Sequence, residues 1–492
     1  MIFSSPEFIF FFLPLVVTFY FLFSRFVSFF SAKLFLIAAS LFFYSYWNVS
    51  YFYIIAISVV FNYFIGEGIR SASKLGKVKK KKVMISFGII ANVSSLIYYK
   101  YYDFFIENIN DIFGVNISLL HLLLPLAISF FTFQQIAYLV DIYKEKCSKY
   151  NFADYSLFVL FFPQLIAGPI VHHNEMMPQF ENKANRNLII GNVILGLQIF
   201  SVGLFKKIVI ADSFGTIADI GYANTISLDF YSSWMTSISY TLQLYYDFSG
   251  YSDMAVGIAL LFNIVLPQNF NSPYRALSIQ DFWRRWHMTL SRWLRDYVYI
   301  PLGGSKCKEA VVCRNLVLTF LIGGIWHGAG WTFIIWGLLH GIALVCHRQW
   351  QKSQRLQIPR VLAILITFMF VNITWVFFRA EDLSSAMDIL QSMFNYTSSG
   401  SLSLTALIGD SYNQSIILKS LGALLNDNND TLLITTGIIL LLTFSKKRNA
   451  YDLLVEREQL SFRSCAFISV MIFISYAVTI NASVPKFLYF NF

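Results

Sequence analysis

Two histidines lie in segments of the chain that are otherwise strongly apolar. His327 lies in GGIWHGAGW (323–331), and His287 lies in DFWRRWHMTLSRWLRDYVYIPLGG (281–304). Because the imidazole pKa lies near neutral pH, such a side chain can take a proton from a hydroxyl or relay protons. Ionisable residues inside a membrane are rare and usually functional. The two histidines are therefore candidate site residues, provided that the surrounding elements lie in a membrane and bring them together.

The composition predicts a membrane protein. Of 492 residues, 57% are hydrophobic and only 13% are charged, whereas soluble proteins have about 25% charged residues. Apolar runs such as 8–23 and 51–65 approach the ~20 residues that cross a bilayer. These runs are solid blocks rather than alternating segments, which favours helices over a barrel. We expect an all-α polytopic protein with about ten or more transmembrane or re-entrant helices.

Other classes of site find little support in the sequence. The five cysteines are scattered and lack metal-ligand spacing, so neither a disulfide framework nor a metal site is expected. The net charge of +10 is assigned to cytoplasmic loops and anionic lipid head groups, and no nucleic-acid partner is expected.

The distribution of Lys and Arg predicts the topology. The segment RSASKLGKVKKKK (70–82) marks the cytoplasmic side and puts both termini in the extracytoplasmic space. The segment 156–170 is broken by prolines and is expected to be re-entrant or interfacial. Lys206 and Lys207 fall at the outer end of a predicted helix, against the rule. The predicted helices cover residues near 7–24, 34–48, 51–69, 83–102, 119–140, 188–210, 231–262, 361–378, 431–445 and 464–482.

His327 is predicted to lie at the turn of a hairpin. The flanking segments 263–314 and 347–360 are both basic, so both should be cytoplasmic. The apolar arms between them, 315–329 and 331–346, would be about 22–24 Å long at ~1.5 Å per residue. That length is shorter than a bilayer core of ~30 Å. We therefore expect arms that turn deep in the membrane and place His327 at the end of a pocket.

His287 is predicted to lie on an amphipathic interfacial helix covering 281–298. At 100° per residue, Trp286 and His287 fall on the apolar side, while Arg284, Arg285 and Arg292 fall on the other. Such a helix lies on the membrane surface with its arginines among the head groups. The alternative is that the helix is only a lipid anchor.

A third polar cluster, YYDFSGYSD (245–253), interrupts the predicted span 231–262. Asp247 and Asp253 are interpreted either as part of a hydrogen-bonded helix break or as site residues. A site carboxylate would orient a histidine or pair with an arginine of 284–295. Among the other histidines, His172 and His173 are candidates for the cytoplasmic entrance, and His340 is expected to be packed against neighbours.

Four segments together resemble the membrane-bound O-acyltransferases, and most closely a bacterial branch that modifies alginate, peptidoglycan and teichoic acid. They are FFPQLIAGPI, YYDFSGYSDMAVGIALLF, NFNSPYRALSIQDFWRRWHMTLSRWLRDYVYIPLGG and IGGIWHGAGWTFIIWGLLHG. The resemblance implies helices around a thin central channel that joins the two membrane faces. It also matches His327 and His287 to the family's two characteristic polar positions.

The resemblance suggests a single membrane-embedded domain, 1–492. Within it we expect N-terminal helices (1–150), a catalytic core (155–350) and C-terminal helices (361–492) with an external loop (379–430).

The resemblance also implies a function. An acetyl group would pass from acetyl-CoA, with no tightly bound cofactor, across the cytoplasmic (inner) membrane to an extracytoplasmic polysaccharide, through a periplasmic SGNH-type transferase. His327 and His287 would be catalytic. The predicted substrate-binding residues are Trp326, Trp286, Asp247, Asp253, Arg284, Arg285 and Arg292. The alternatives are D-alanyl or other acyl transfer from a carrier protein, and a transporter or scaffold of a polysaccharide export complex.

Overall fold

The computed structural model describes residues 1–353, 358–397, 400–414 and 462–479, together with six isolated positions between 437 and 452. Across this part of the chain the secondary structure is helical, and the only extended pairing is an isolated bridge between Leu228 and Leu402. The predicted all-α class is therefore confirmed. The chain packs as two compact units. One comprises Met1–Phe200 and Met254–Pro267, and the other comprises Ser201–Asp253 and the described residues of Gln268–Phe492.

The first unit contains most of the helices that precede residue 200. Its short helices near 160 are buried apart from Phe152 at the start of the first one, which agrees with the short broken segment expected there. An ion pair between Lys33 Nζ and Asp154 Oδ1, at 2.6 Å, connects the helix that contains residues 29–45 to the helix that contains residues 152–160. The helices are α1 (Phe8–Phe26), α2 (Phe29–Ser45), α3 (Ser50–Lys74), α4 (Val78–Phe113), α5 (Ile128–Tyr143), α6 (Phe152–Leu160), α7 (Phe162–Leu165), α8 (His173–Glu181) and the first residues of α9 (Ile190–Ala223).

Helix α5 begins later than the apolar pattern predicts. The expected helix near 119–140 starts only at Ile128. Pro125 lies just upstream, and Ala127 has a left-handed backbone with φ of 59°. Since proline disfavours helix in the residue before it, the apolar residues 119–127 do not extend the helix.

The second unit carries both candidate histidines and the remaining helices. Part of the expected external loop 379–430 is helical, in α16 and α17. The prediction for 431–445 falls almost entirely outside the described residues, and the predicted domain boundaries stay predictions. The helices are the end of α9, most of α10 (Phe230–Leu261), α11 (Ile279–Trp283), α12 (Met288–Leu294), α13 (Glu309–His327), α14 (Trp331–Ser353), α15 (Arg360–Arg379), α16 (Leu383–Phe394), α17 (Leu404–Gln414) and α18 (Phe462–Thr479).

Seven helices within the described residues are long and apolar enough to cross a membrane: α1, α3, α4, α9, α13, α14 and α15. Helix α2 and residues 465–477 are shorter apolar helices. The protein is therefore a multi-pass membrane protein. The orientation of its termini and the central channel stay predictions.

Helices α13 and α14 form the expected hairpin, with its turn at residues 328–330. They contain 19 and 23 residues, so the expectation of arms too short to span a bilayer is wrong. The helices are longer because charged residues at their open ends belong to them. Glu309 accepts a hydrogen bond from Arg348 Nε at 2.8 Å and also pairs with Lys352.

Glycines bring the two hairpin helices into backbone contact. A Cβ atom added to Gly324 would lie 2.4 Å from the carbonyl oxygen of Phe333. One added to Gly337 would lie 2.5 Å from the carbonyl oxygen of Phe320. Since backbone atoms cannot turn aside as a flexible side chain can, even one methyl group forces the helices apart.

Substituting Gly337→Ala should therefore destabilise the hairpin by about 1–3 kcal/mol, the usual cost of overpacking. The measurement is the thermal unfolding midpoint of the purified protein in detergent. Gly191→Ala is the matched control, because a Cβ there meets nothing within 4 Å. A midpoint for Gly337→Ala as high as that of the control would contradict the proposed backbone contact.

Candidate active site

His327 is the last residue of α13 and is enclosed by aromatic rings. Its side chain is buried, and its ring centroid lies 4.8 Å from Trp326, 5.1 Å from Trp336 and 5.1 Å from Phe378. All three contacts are edge-to-face, a favourable geometry for aromatic pairs. The hairpin turn thus places an ionisable ring in a pocket with largely apolar walls.

His287 lies in a sharp break between two short helices, not on a continuous one. Helix α11 ends at Trp283, α12 begins at Met288, and His287 itself has a left-handed backbone with φ of 42°. The predicted amphipathic helix over 281–298 is therefore wrong as a single element. A bond from Met288 N–H to the carbonyl oxygen of Asn269, at 3.0 Å, replaces a helical bond at this point. Tertiary hydrogen bonding overrides the helical periodicity here.

The His287 ring is fully buried and held by an amide. Its Nδ1 lies 3.0 Å from Asn269 Oδ1, which also accepts a hydrogen bond from the Thr289 hydroxyl at 2.9 Å. Among the described residues, His287 Nε2 is buried without a hydrogen-bond partner. Burial lowers the pKa of His287 to about 3, so the ring is neutral at physiological pH. The environment keeps the imidazole in its unprotonated form, with the Nε2 lone pair available as an acceptor.

Trp326 packs against both histidines. Its ring centroid is 6.3 Å from that of His287 and 4.8 Å from that of His327, which puts the two imidazoles within about 11 Å of each other. Both histidines and the tryptophan belong to the second unit. The fold therefore gathers three of the predicted site residues into one buried cluster.

His340 shows what a purely structural histidine looks like in the same unit. Its Nδ1 accepts a hydrogen bond from Trp283 Nε1 at 3.2 Å, and its Nε2 contacts Thr374 Oγ1 at 3.1 Å. The ring is fully buried and both nitrogens have partners, as expected for a histidine packed against neighbours. His287 differs because its Nε2 has no hydrogen-bond partner in the part of the chain that the structure describes.

His173 lies in the first unit and forms a buried pair. Its Nε2 lies 3.0 Å from Asp141 Oδ2. Burial by itself lowers the pKa of His173, but the hydrogen bond to Asp141, together with the neighbouring Cys147, outweighs burial and raises it to about 9. The imidazolium is thus neutralised by a carboxylate. Its expected role at a cytoplasmic entrance stays a prediction.

Asp247 and Asp253 pair with lysines of α9. Lys207 Nζ lies 2.7 Å from Asp247 Oδ1 and 2.6 Å from Asp212 Oδ1, while Lys206 Nζ lies 2.7 Å from Asp253 Oδ2. Helix α10 runs unbroken through both aspartates, so the expected helix break is wrong. It is Asn269, not a carboxylate, that orients His287.

The sequence analysis did not identify the roles of these lysines, although it noted that their positions are unusual. Lys206 and Lys207 stand in an apolar helix against the expected charge distribution. The structure explains them, because Lys207 is buried between two carboxylates. They serve an internal charge network, and they are therefore poor markers of topology.

The remaining predicted binding residues differ from one another in exposure and in the contacts that they make. Arg284 is exposed. Arg285 Nε pairs with Asp281 at 2.8 Å, and Arg292 is half-buried. Trp286 is buried within an aromatic core, with ring distances of 5.1 Å to Trp375 and 5.6 Å to Phe282. Roles for these residues in substrate binding stay predictions.

The architecture and the site define a class of protein: a multi-pass helical membrane protein with two buried imidazoles around a tryptophan. The chain matches the membrane-bound O-acyltransferase family over residues 142–382, which include both histidines. It is 46% identical to the peptidoglycan O-acetyltransferase of Helicobacter pylori, covering 100% of this chain and 98% of that protein.

Two further relatives extend the comparison. The chain is 39% identical to a probable alginate O-acetylase of Pseudomonas aeruginosa, covering 80% of this chain and 75% of that protein. It is 29% identical to a teichoic acid D-alanyltransferase of Bacillus subtilis, covering 50% and 66%. The chain belongs to the membrane-bound O-acyltransferase family and is an O-acyltransferase. The resemblance seen in the sequence motifs is confirmed. The prediction that the protein is an enzyme, rather than a transporter or scaffold, is confirmed as well.

The lysine network gives a prediction that separates structural from substrate-binding roles. Lys207→Met leaves the buried carboxylate of Asp247 and the half-buried carboxylate of Asp212 without their shared cation and should cost about 3–5 kcal/mol. Asp247→Asn should cost less, because Lys207 keeps Asp212 at 2.6 Å. The measurement is the yield and unfolding midpoint of each variant in detergent. Equal stability of Lys207→Met and the unsubstituted protein would show that the network does not hold the fold.

Proposed function

We propose that this protein transfers an acetyl group from acetyl-CoA to a hydroxyl of an extracytoplasmic polysaccharide, from its place in the cytoplasmic (inner) membrane. The observation that carries the proposal is the pair of buried imidazoles that both pack against Trp326. The substrate class is supported by the relatives named for O-acetylation of peptidoglycan and alginate. A periplasmic SGNH-type transferase would pass the group to the final polymer.

The chemistry follows from what acyl transfer requires. The hydroxyl oxygen attacks the thioester carbonyl carbon, a new C–O bond forms, and the C–S bond breaks. The hydroxyl proton must be taken up, and the thiolate of coenzyme A must gain one. His327 would activate the hydroxyl, directly or by briefly carrying the acetyl group itself. The aromatic rings around His327 exclude water, which would otherwise hydrolyse the thioester or an acetyl-enzyme.

The donor would approach past the segment that carries His287. Arg284 on this segment is exposed, and Arg285 and Arg292 are partly so. Guanidinium groups bind phosphates through paired, charge-assisted hydrogen bonds, which suits the phosphates of coenzyme A. Anionic lipid head groups have the same chemistry, so these arginines support the donor assignment less strongly than the imidazoles do.

D-alanyl transfer from a carrier protein is the second candidate. It is favoured by the relative that transfers D-alanine to teichoic acid, which is less similar to this chain and covers 50% of it. The two relatives named for O-acetylation are more similar and cover 80% or more of it. Acetyl transfer is therefore the better-supported proposal.

The proposal predicts a hierarchy among three histidines. His327→Ala and His287→Ala should each lower acetyl transfer by on the order of 10²–10⁴-fold, the contribution of a general base. His340→Asn keeps an acceptor for Trp283 and should retain most of the activity. The assay uses proteoliposomes with labelled acetyl-CoA and a soluble glycan fragment.

The outcome that would contradict the proposal is full acetyl transfer by His327→Ala. Transfer of D-alanine from a charged carrier protein, without any use of acetyl-CoA, would instead favour the second candidate. Equal unfolding midpoints for the three variants would show that the differences in rate do not come from folding.

A further inference from the structure

Asn269 fixes the three residues of the hinge that carries His287. Its Oδ1 accepts hydrogen bonds from Thr289 Oγ1 at 2.9 Å and from Thr289 N–H at 3.4 Å, and it contacts His287 Nδ1 at 3.0 Å. Its backbone carbonyl accepts from Met288 N–H at 3.0 Å. Asn269 is 2% exposed, so water does not compete for these bonds. One residue thus holds positions 287 to 289.

The same contacts determine which nitrogen of His287 bears hydrogen. A backbone N–H can only donate, so the Asn269 atom that faces Thr289 N–H is the amide oxygen. An amide oxygen can only accept, so His287 Nδ1 must carry the hydrogen. A neutral imidazole has one such hydrogen, which leaves Nε2 with a free lone pair. This is the nitrogen without a hydrogen-bond partner among the described residues.

Resting on the proposed function, we infer that Asn269 is a positioning residue that presents His287 Nε2 to the substrates as a proton acceptor. The other tautomer would set the Nδ1 lone pair against the amide oxygen, which is repulsive. His340 shows the converse arrangement, because Trp283 donates to its Nδ1 and leaves the hydrogen on Nε2. The fold therefore sets opposite tautomers in two buried histidines.

The surroundings of His287 make this inference testable by pH. The rings packed against it are Phe248, at 4.8 Å, and Trp326, and neither titrates near neutral pH. Asp247, which precedes Phe248, is held by Lys207 at 2.7 Å. On its own segment, Arg284 is exposed, Arg285 pairs with Asp281 at 2.8 Å, and Arg292 is half-buried. Burial thus dominates the protonation of His287, and a new charge at position 269 would change it.

Asn269→Asp keeps an acceptor oxygen for the hinge but places a carboxylate beside Nδ1. An anion at this distance stabilises the imidazolium and raises the pKa of His287. In the unsubstituted protein burial keeps His287 neutral throughout the acid limb, whereas His173, with Asp141 Oδ2 at 3.0 Å, shows that a carboxylate beside a buried imidazole raises its pKa to about 9. Because activity needs Nε2 unprotonated, the acid limb of the pH profile of kcat/KM should move up in this variant by about one pH unit or more. The test remains valid if the variant is less stable, because the pH at which kcat/KM falls does not depend on how much folded protein is recovered.

Asn263→Asp is the matched control. Like Asn269, Asn263 is a buried asparagine, and its Nδ2 donates to the carbonyl oxygen of Asn187 at 2.8 Å. It lies in the first unit and contacts no imidazole in its hydrogen bonds. Its acid limb should match that of the unsubstituted protein. An acid limb in Asn269→Asp that does not move overturns the inference and leaves Asn269 a structural residue.

A second measurement does not depend on activity. In protein labelled with ¹⁵N-histidine, the His287 signals are identified by their loss in His287→Gln. They should show hydrogen on Nδ1, and Asn269→Leu should change the tautomer and lower kcat on the order of 10²-fold with less effect on KM. Hydrogen on Nε2 in the unsubstituted protein would overturn the inference. Absence of acetyl transfer with the expected tautomer would instead overturn the proposed function alone.

Discussion

Polar side chains in the interior of this protein must find their partners within the chain, because lipid and packed aromatic rings supply none. Lys207 meets this constraint with two carboxylates, and His340 meets it with Trp283 and Thr374. His340 is held by partners from two other helices, and Lys207 by one carboxylate from α10 and one from its own helix, so satisfying these polar groups also fixes how the helices pack. These hydrogen bonds and ion pairs therefore help to position the helices that carry the candidate site.

At the candidate site, His287 meets this constraint only in part. Its Nδ1 is hydrogen-bonded to Asn269, whereas its Nε2 has no partner among the described residues. A buried, unsatisfied acceptor costs free energy. The left-handed backbone at the same residue adds about 1–3 kcal/mol of strain, which usually persists only where the surroundings enforce it. Two local costs at one residue are typical of a functional position.

The two imidazoles are held in different ways that suit different tasks. His327 ends a long helix and is enclosed by Trp326, Trp336 and Phe378, so its position follows from rigid packing. His287 lies in a hinge fixed by hydrogen bonds, so its position and its tautomer depend on Asn269. Trp326 packs against both rings and adds apolar surface beside them, which strengthens electrostatic interactions there.

The sequence by itself determined the helical membrane class, the hairpin with His327 at its turn, and the burial of His287. These features depend on local composition: apolar runs long enough for a bilayer, glycines that allow close approach, and a histidine on an apolar face. Only the tertiary structure decided that α10 continues through Asp247, that the chain breaks at His287, and that Asn269 orients the imidazole. Each of these depends on hydrogen bonds or ion pairs between residues distant in sequence, such as Lys207 with Asp247. Periodicity reports which side of a segment is buried, but it carries no information about which distant partner will lie there.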